Sequence, residues 1–345
     1  MSGDQPEQHF FSGAPVLGWA SWFWRRFWSG ASKNPYRVSL TEMTNEKIAP
    51  NPRIISSRVL AKNAKEYSAF LRVYFAEPKA AILLDVPTQV LEDGLSTGTL
   101  IGVEARAGQQ LVGFVVSSYG GRYLNTDVSM ITWLCVHPDW RKRGVTNLIL
   151  RTMLRLAPQR AIHIWRNDGW LRSPIPPVFS DTRIQRRRQP MRSSIGSQMI
   201  QVQRAPLNRW RAAFANLWLK TNPGGIFLDD PRHEPKQVEV WVRALSKSAT
   251  LAVCIQPTYE LNATTRERWC EVLAWAVEGT TLDAYSLALG IESILDKQPY
   301  DWIDASQMMP HLELGWRIGG STSWSLLGLD PGSPVMRPMC SLCAY

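Results

Sequence analysis

Six consecutive residues, Arg141-Lys142-Arg143-Gly144-Val145-Thr146, combine three cations, a glycine and a hydroxyl. An apolar run, Ile131 to Val136, precedes them, and Val145, Leu148, Ile149, Met153, Leu154 and Leu156 follow at helical spacing. The pattern predicts a strand, a turn and a helix. Glycine allows a ligand to approach the backbone closely, and the first N–H groups of a helix form an anion site that the helix dipole already biases. A pyrophosphate suits such a turn. The spacing is not GxxxxGK[ST], and no GxGxxG follows a strand nearby, so neither nucleotide loop is present. A solvated basic helix start is the bland alternative.

Arg141, Gly144 and Thr146 are similar to the R/Q-x-x-G-x-G/A pattern of the GNAT acyltransferase superfamily, with threonine at its last position. The wider stretch WLCVHPDWRKRGVTNLILR resembles the N-myristoyltransferase family, whose strand FLCVH runs into a basic turn. Leu134-Cys135-Val136-His137 matches it without a gap, and Leu111-Val112-Gly113-Phe114-Val115 resembles the family's LVGFI strand. Tyr300-Asp301-Trp302-Ile303-Asp304-Ala305, followed by Met308-Met309, looks like its FDVFNAL-x-x-M segment. His9-Phe10-Phe11-Ser12-Gly13-Ala14-Pro15-Val16 looks like KFW-x-TQPV, which lies against the nucleotide end of the acyl-CoA in that family.

The resemblance implies an α+β fold in which two GNAT-like half-domains form one mixed, saddle-shaped sheet flanked by helices. It implies an arm at 1–45 that contacts the cofactor through His9, Phe10 and Phe11. An acyl-CoA-binding half at 46–205 and a peptide-binding half at 206–345 follow. The co-substrate is then myristoyl-CoA or a similar acyl-CoA, with no metal, and the partner is a peptide with an N-terminal glycine. Arg141, Lys142, Arg143, Gly144, Val145 and Thr146 hold the coenzyme A phosphates. The backbone amides of Trp133 and Leu134 stabilise the thioester oxyanion, and the C-terminal carboxylate of Tyr345 takes the amine proton. The apolar, uncharged stretch Pro338–Tyr345 favours burial of that terminus over a frayed end.

Several positions depart from the family. Its catalytic-site threonine falls on Asn167 and the preceding tyrosine on Arg166, the aspartate of its GDG turn falls on Gly320, and its acidic loop falls on Ala76-Glu77-Pro78-Lys79 with one acid kept. The departures leave two alternatives open: a relative that binds without catalysis, or an acetyltransferase acting on another amine.

Composition limits the partners. A chain of 345 residues with 45% hydrophobic content can bury one large core or two ordinary ones. A net charge of +10 favours nucleic acid, an anionic membrane surface or a phosphorylated cofactor. Nucleic acid is disfavoured because no aromatic platform motif accompanies the cations. Five scattered cysteines make no disulfide framework, which points to a reducing, cytoplasmic setting. Cys340-x-x-Cys343 lacks a second pair of metal ligands. Asp4 and Glu7 replace the basic start of a signal peptide, Ser2 excludes N-myristoylation, and no apolar run approaches bilayer length.

Along the chain, Trp19, Trp22, Phe23, Trp24, Phe27 and Trp28 interrupted by Arg25 and Arg26 suit an arm packed on the body, or a peripheral membrane contact. Helices are expected at Ser57–Phe75, Val86–Leu95 and Trp210–Leu219. Strands are expected at Thr99–Glu104, Leu111–Ser117, Ala161–Trp165 and Thr250–Ile255. Val238–Leu245 begins a helix or a strand, and Leu312–Leu327 reads as two strands around Gly319-Gly320. Ala205-Pro206 is the expected boundary between halves. Arg183, Arg186, Arg187, Arg188 and Arg192 read as a solvated face, with a phosphate or RNA contact as the alternative. His137, His163, His233 and His311 have no nucleophile signature nearby and read as surface or packed residues, while Cys135 reads as core.

Overall fold

The computed structural model describes residues 54–75, 82–123, 126–156, 162–168, 179–188, 201–222, 225–232, 235, 237–280, 282–312, 315–327 and 339–342. These divide into two compact units, 54–179 with 323–327, and 180–322 with 339–342.

The first unit begins with β1 (Ile54–Arg58), α1 (Ala64–Tyr74), β2 (Ile82–Leu84) and α2 (Thr88–Thr97). It continues with β3 (Leu100–Ala107), β4 (Gln110–Tyr123), β5 (Thr126–Val136), α3 (Val145–Leu156) and β6 (Ile162–Asp168). Strands β1, β3, β4 and β5 pair antiparallel in that order, and β6 joins β5 in parallel. Such a parallel connection needs a crossover, which α3 supplies. One face of α3, Val145, Ile149 and Met153, buries against Val103, Ala105, Val115 and Ile131. Val115 and Phe114 are consecutive in β4 and so point to opposite faces. Phe114 accordingly stacks on Tyr67 of α1, with centroids 4.8 Å apart.

The second unit holds β7 (Phe179–Arg187), β8 (Val202–Ala205), α4 (Leu207–Thr221), β9 (Ile226–Leu228), β10 (Glu239–Ser246) and β11 (Ala249–Asn262). It then runs through β12 (Arg268–Gly279), α5 (Ala284–Leu295), β13 (Trp302–Ser306), β14 (Trp316–Leu327) and β15 (Met339–Ser341). Strands β8, β10, β11 and β12 pair antiparallel, α5 crosses over, and β13 joins β12 in parallel. The plan of the first unit is repeated, although no repeat is legible in the sequence. Ile291, Ile294 and Leu295 of α5 cover Leu251, Val253 and Ile303 on one sheet face, while Trp210 and Phe214 of α4 cover Ala252, Cys254 and Ala274 on the other.

Three expectations need correction. The helix expected from Ser57 starts only at Ala64; Ile54–Arg58 is a strand, because its β-branched residues complete the sheet beside β3. Leu312–Leu327 is not a hairpin: Gly319 and Gly320 lie inside the single strand β14, where a Cβ on Gly319 would fall 2.5 Å from the Gln185 side chain. The arginine run is a solvated face only in part: Arg187 and Arg188 are exposed and Arg192 lies outside the described residues, but two of its members turn inward. Arg183 is buried and reaches Glu271 at 2.8 Å and Asp304 at 3.2 Å, and buried Arg186 pairs with Glu292 and Asp296. Carboxylates on neighbouring elements neutralise these cations inside the unit, which a reading of β7 alone does not reveal.

Candidate active site

The ladder between β4 and β5 is irregular at one place. Phe114 pairs with Cys135 and Val116 with Thr132, so Val115 faces two residues, Trp133 and Leu134. This is a β-bulge, and Trp133 carries a φ of 51° within it. A bulge breaks the ladder and re-aims the groups it contains, and a left-handed tryptophan persists only where its surroundings hold it. Trp133 is buried, and Leu134 packs against the core beneath α3.

The bulge coincides with the end of the β5–β6 pairing. Registered pairs run from Val128–Ile162 to Ile131–Trp165. Beyond them β5 continues to Val136 and β6 to Asp168, with no further registered pair among the described residues. The two strands fork directly before the bulge.

The basic turn follows. His137 leads into a short 3-10 turn, Pro138–Trp140, and accepts from the Asp139 amide at 3.3 Å through Nδ1. Lys142 (φ 63°) and Gly144 (φ 79°) are left-handed, and the first helical bond runs from Leu148 N–H to the Gly144 carbonyl at 3.0 Å. A Cβ on Gly144 would meet nothing within 4 Å, so glycine is wanted there for its backbone conformation and not for space. Gly113 is the opposite case, since a Cβ there would come within 2.7 Å of Val145 Cγ1. The glycine of the LVGF stretch thus lets the start of α3 lie close on β4.

The three cations have different surroundings, though all are exposed. Arg141 donates from Nε to the Val136 carbonyl at 3.1 Å and from Nη2 to the Tyr74 carbonyl at 3.3 Å, bracing the turn between β5 and α1. The Arg143 guanidinium lies 5.3 Å from the Trp140 ring centroid. Lys142 is the left-handed residue between them. Val145 is buried and Thr146 is half-buried in the first turn of α3.

Cys135, one residue past the bulge, is no nucleophile. Burial pushes its thiol up to about 12, only partly opposed by Arg141, so it is protonated at neutral pH. His163 on β6 is fully buried with no partner on either ring nitrogen, and burial lowers it to about 4. His311 is packed, with Nδ1 2.7 Å from the Met309 carbonyl oxygen and its ring edge-on to Trp316.

The structure therefore brings Trp133, Leu134 and the turn 141–146 together around the two ends of one strand-to-helix connection. Asn167 lies in β6 past the fork, with only its backbone described. His9, Phe10, Phe11, His233, Cys343, Tyr345 and the 76–79 loop lie outside the described residues. Sequence reading missed the left-handed Lys142 and the bulge, since no residue type marks either one.

Residues 66–168 match the acetyltransferase (GNAT) family. Among solved structures, Saccharomyces cerevisiae N-myristoyltransferase with bound myristoyl-CoA is similar at 13% identity and a TM-score of 0.54, covering 86% of this chain and 87% of that one. A second structure of the yeast enzyme with myristoyl-CoA gives 12% identity, a TM-score of 0.55 and 88% coverage of each chain. By sequence, no curated protein matches. The chain thus shares its fold with the yeast N-myristoyltransferase structures, and its segment 66–168 is similar to the GNAT family.

Proposed function

We propose that the protein is an acyl-CoA-dependent N-acyltransferase that moves a myristoyl-like acyl group to the N-terminal glycine amine of a peptide or protein. The observation that carries this reading is the bulge at Trp133-Leu134, set where β5 and β6 fork and followed at once by a basic, left-handed turn into α3. A fork suits entry of an extended thioester arm between two strands, and a bulge re-aims the backbone groups it contains. In this reading the Trp133 and Leu134 amides stabilise the tetrahedral oxyanion. One such donor is typically worth about 2.7 to 4 kcal/mol of barrier.

The first-turn amides of α3, with Lys142 and Arg143, receive the pyrophosphate. Arg141 keeps the turn in shape through its two carbonyl contacts while adding positive potential. The amine attacks the thioester carbon, the Tyr345 carboxylate accepts its proton, and the coenzyme A thiolate leaves. A buried, protonated Cys135 supports direct transfer without a covalent enzyme intermediate. Support for the acyl donor comes from the GNAT match and from the myristoyl-CoA bound in the yeast structures of the same fold. Acyl length, target peptide and a cytoplasmic or membrane-peripheral location belong to the proposal.

The test is intact mass spectrometry of glycine-initiated peptides incubated with the full chain and acyl-CoAs from acetyl to palmitoyl. A mass gain from a long-chain donor is expected, confined to peptides with a free N-terminal glycine. Acetyl transfer alone would favour a short-chain enzyme, and binding of myristoyl-CoA without transfer would leave a non-catalytic relative. Deleting residues 343–345 should abolish transfer and spare acyl-CoA binding; unchanged turnover refutes the carboxylate base.

A further inference from the structure

The arginines of β7 are of two kinds. Arg183 and Arg186 are buried against carboxylates, whereas Arg187 and Arg188, where the strand ends, are exposed. Backbone bonds gather further cations at the same end of the sheet. The Arg188 N–H donates to the Asp301 carbonyl at 2.8 Å, and the Asp301 N–H donates to the Arg268 carbonyl at 2.9 Å. The starts of β12 and β13 thus lie beside the end of β7, and the register sets Trp302 between Trp269 and Arg187. Arg317, near the start of β14, reaches the same place, with its guanidinium 4.4 Å from the Trp302 ring centroid. Arg266 belongs to the turn that leads from β11 into β12.

Neutral groups hold most of these side chains in place. Trp302 stacks on Trp269 with centroids 6.0 Å apart and 9° between the planes, donates from Nε1 to Glu267 at 3.1 Å, and carries Arg317 on its ring. Arg188 Nη1 donates to the Gln298 carbonyl and Arg268 Nη2 to the Pro299 carbonyl, both at 3.0 Å. The carboxylates nearby are already engaged. Glu267 pairs with Arg187, and Asp301 accepts from the backbone N–H of Arg268 at 3.0 Å. Arg188, Arg266, Arg268 and Arg317 are therefore exposed cations with no ion pair among the described residues. An arginine posed by a ring or a carbonyl keeps its whole charge and most of its five donors.

We propose that this end of the second unit's sheet is a docking surface for an acidic segment of a partner protein, whose Asp and Glu carboxylates pair with Arg188, Arg268 and Arg317. Charge complementarity carries the inference, because the chain supplies these guanidinia with no counter-ion of its own. Each of the cations is an arginine, whose planar fork fits a carboxylate through two bonds. Within β7 the same residue type already holds carboxylates, at Arg183, Arg186 and Arg187. Arginine and tryptophan are also the side chains that dominate binding energy at protein interfaces. Single-stranded nucleic acid fits less well, since it stacks its bases on bare rings, and here Trp269 is buried and Trp302 is half-buried under Arg317. The surface belongs wholly to the second unit, and the proposal does not depend on the acyl-transfer reading.

The experiment titrates the full chain into a fluorescein-labelled glutamate-rich peptide and follows its anisotropy, with the glutamine counterpart of the peptide and a labelled oligouridylate as parallel probes. The expected result is saturable binding of the glutamate peptide that weakens as salt is added, and none of the glutamine peptide. Arg268→Gln and Arg317→Gln should each weaken binding about fivefold, the upper range for an exposed ion pair, and the double variant more than either. Lys247→Gln removes one charge from the same unit at the far end of β11, which is many Debye lengths away, and should change binding by less than about twofold. Absence of saturable binding overturns the proposal, and so does equal binding of the glutamine peptide. Equal losses in Lys247→Gln and Arg317→Gln overturn it as well, because net charge alone would then be at work. Oligouridylate that binds more tightly than the glutamate peptide and is weakened by Arg317→Gln gives the surface to nucleic acid instead.

Discussion

Replacing His163 by phenylalanine should flatten the acid limb of the stability curve. The imidazole sits on β6, fully buried, with neither nitrogen paired, and burial lowers it from 6.5 to about 4. The unfolded chain therefore takes up the proton first as pH falls. The stability associated with the neutral ring is complete above 6.5 and is lost progressively toward 4. Keeping the ring neutral at pH 5 costs about 2 kcal/mol relative to the unfolded chain, since each pH unit below 6.5 is worth about 1.4 kcal/mol. Urea unfolding of both proteins at pH 7.5, 6 and 5 measures this directly. Carboxylate titration is common to the two chains and cancels in the difference, as does a constant packing cost of the larger ring. The wild type should lose about 2 kcal/mol more than His163→Phe between pH 7.5 and pH 5. Parallel curves would refute the reasoning, because they would mean that the imidazole charges in place with a partner or with water.

Other perturbations separate backbone from packing effects. Gly113→Val puts a side chain where a Cβ already lies 2.7 Å from Val145 Cγ1, so it should cost about 1–3 kcal/mol in urea unfolding and displace the start of α3. Calorimetry should then show weaker acyl-CoA binding. Gly144→Ala meets no atom within 4 Å and should cost only about 1 kcal/mol, the penalty of a left-handed alanine. A much larger loss would mean that the turn is tighter than described. Arg183→Met leaves Glu271 and Asp304 facing one another in the interior and should destabilise the protein by roughly 3–5 kcal/mol near pH 7. Partial recovery of stability in acid, where the carboxylates take up protons, would support that cause.

The strand, turn and helix at 131–156 could be read from sequence because each is a local pattern. An apolar β-branched run, a cluster of cations with glycine and a period of 3.6 need no distant partner. The LVGF strand was legible for the same reason, and the motif resemblance extended the reading to the fold that the comparison with the yeast structures bears out. Ile54–Arg58 was misread because its strand state comes from β3, about 50 residues away in the chain. Gly319-Gly320 was read as a turn, although a glycine pair serves a close strand contact equally well.

The sequence by itself determined the chemistry available to the candidate site: three cations, a conformationally free glycine and an apolar strand able to lead into them. Tertiary structure alone decided the bulge at Trp133-Leu134, the fork of β5 and β6 and the placing of Arg317 on the Trp302 ring. It also drew Arg183 and Arg186 out of an apparent basic surface into buried ion pairs. The physical reason is that register, burial and hydrogen-bond satisfaction are relations between segments far apart in the chain, whereas residue type and periodicity are properties of one segment.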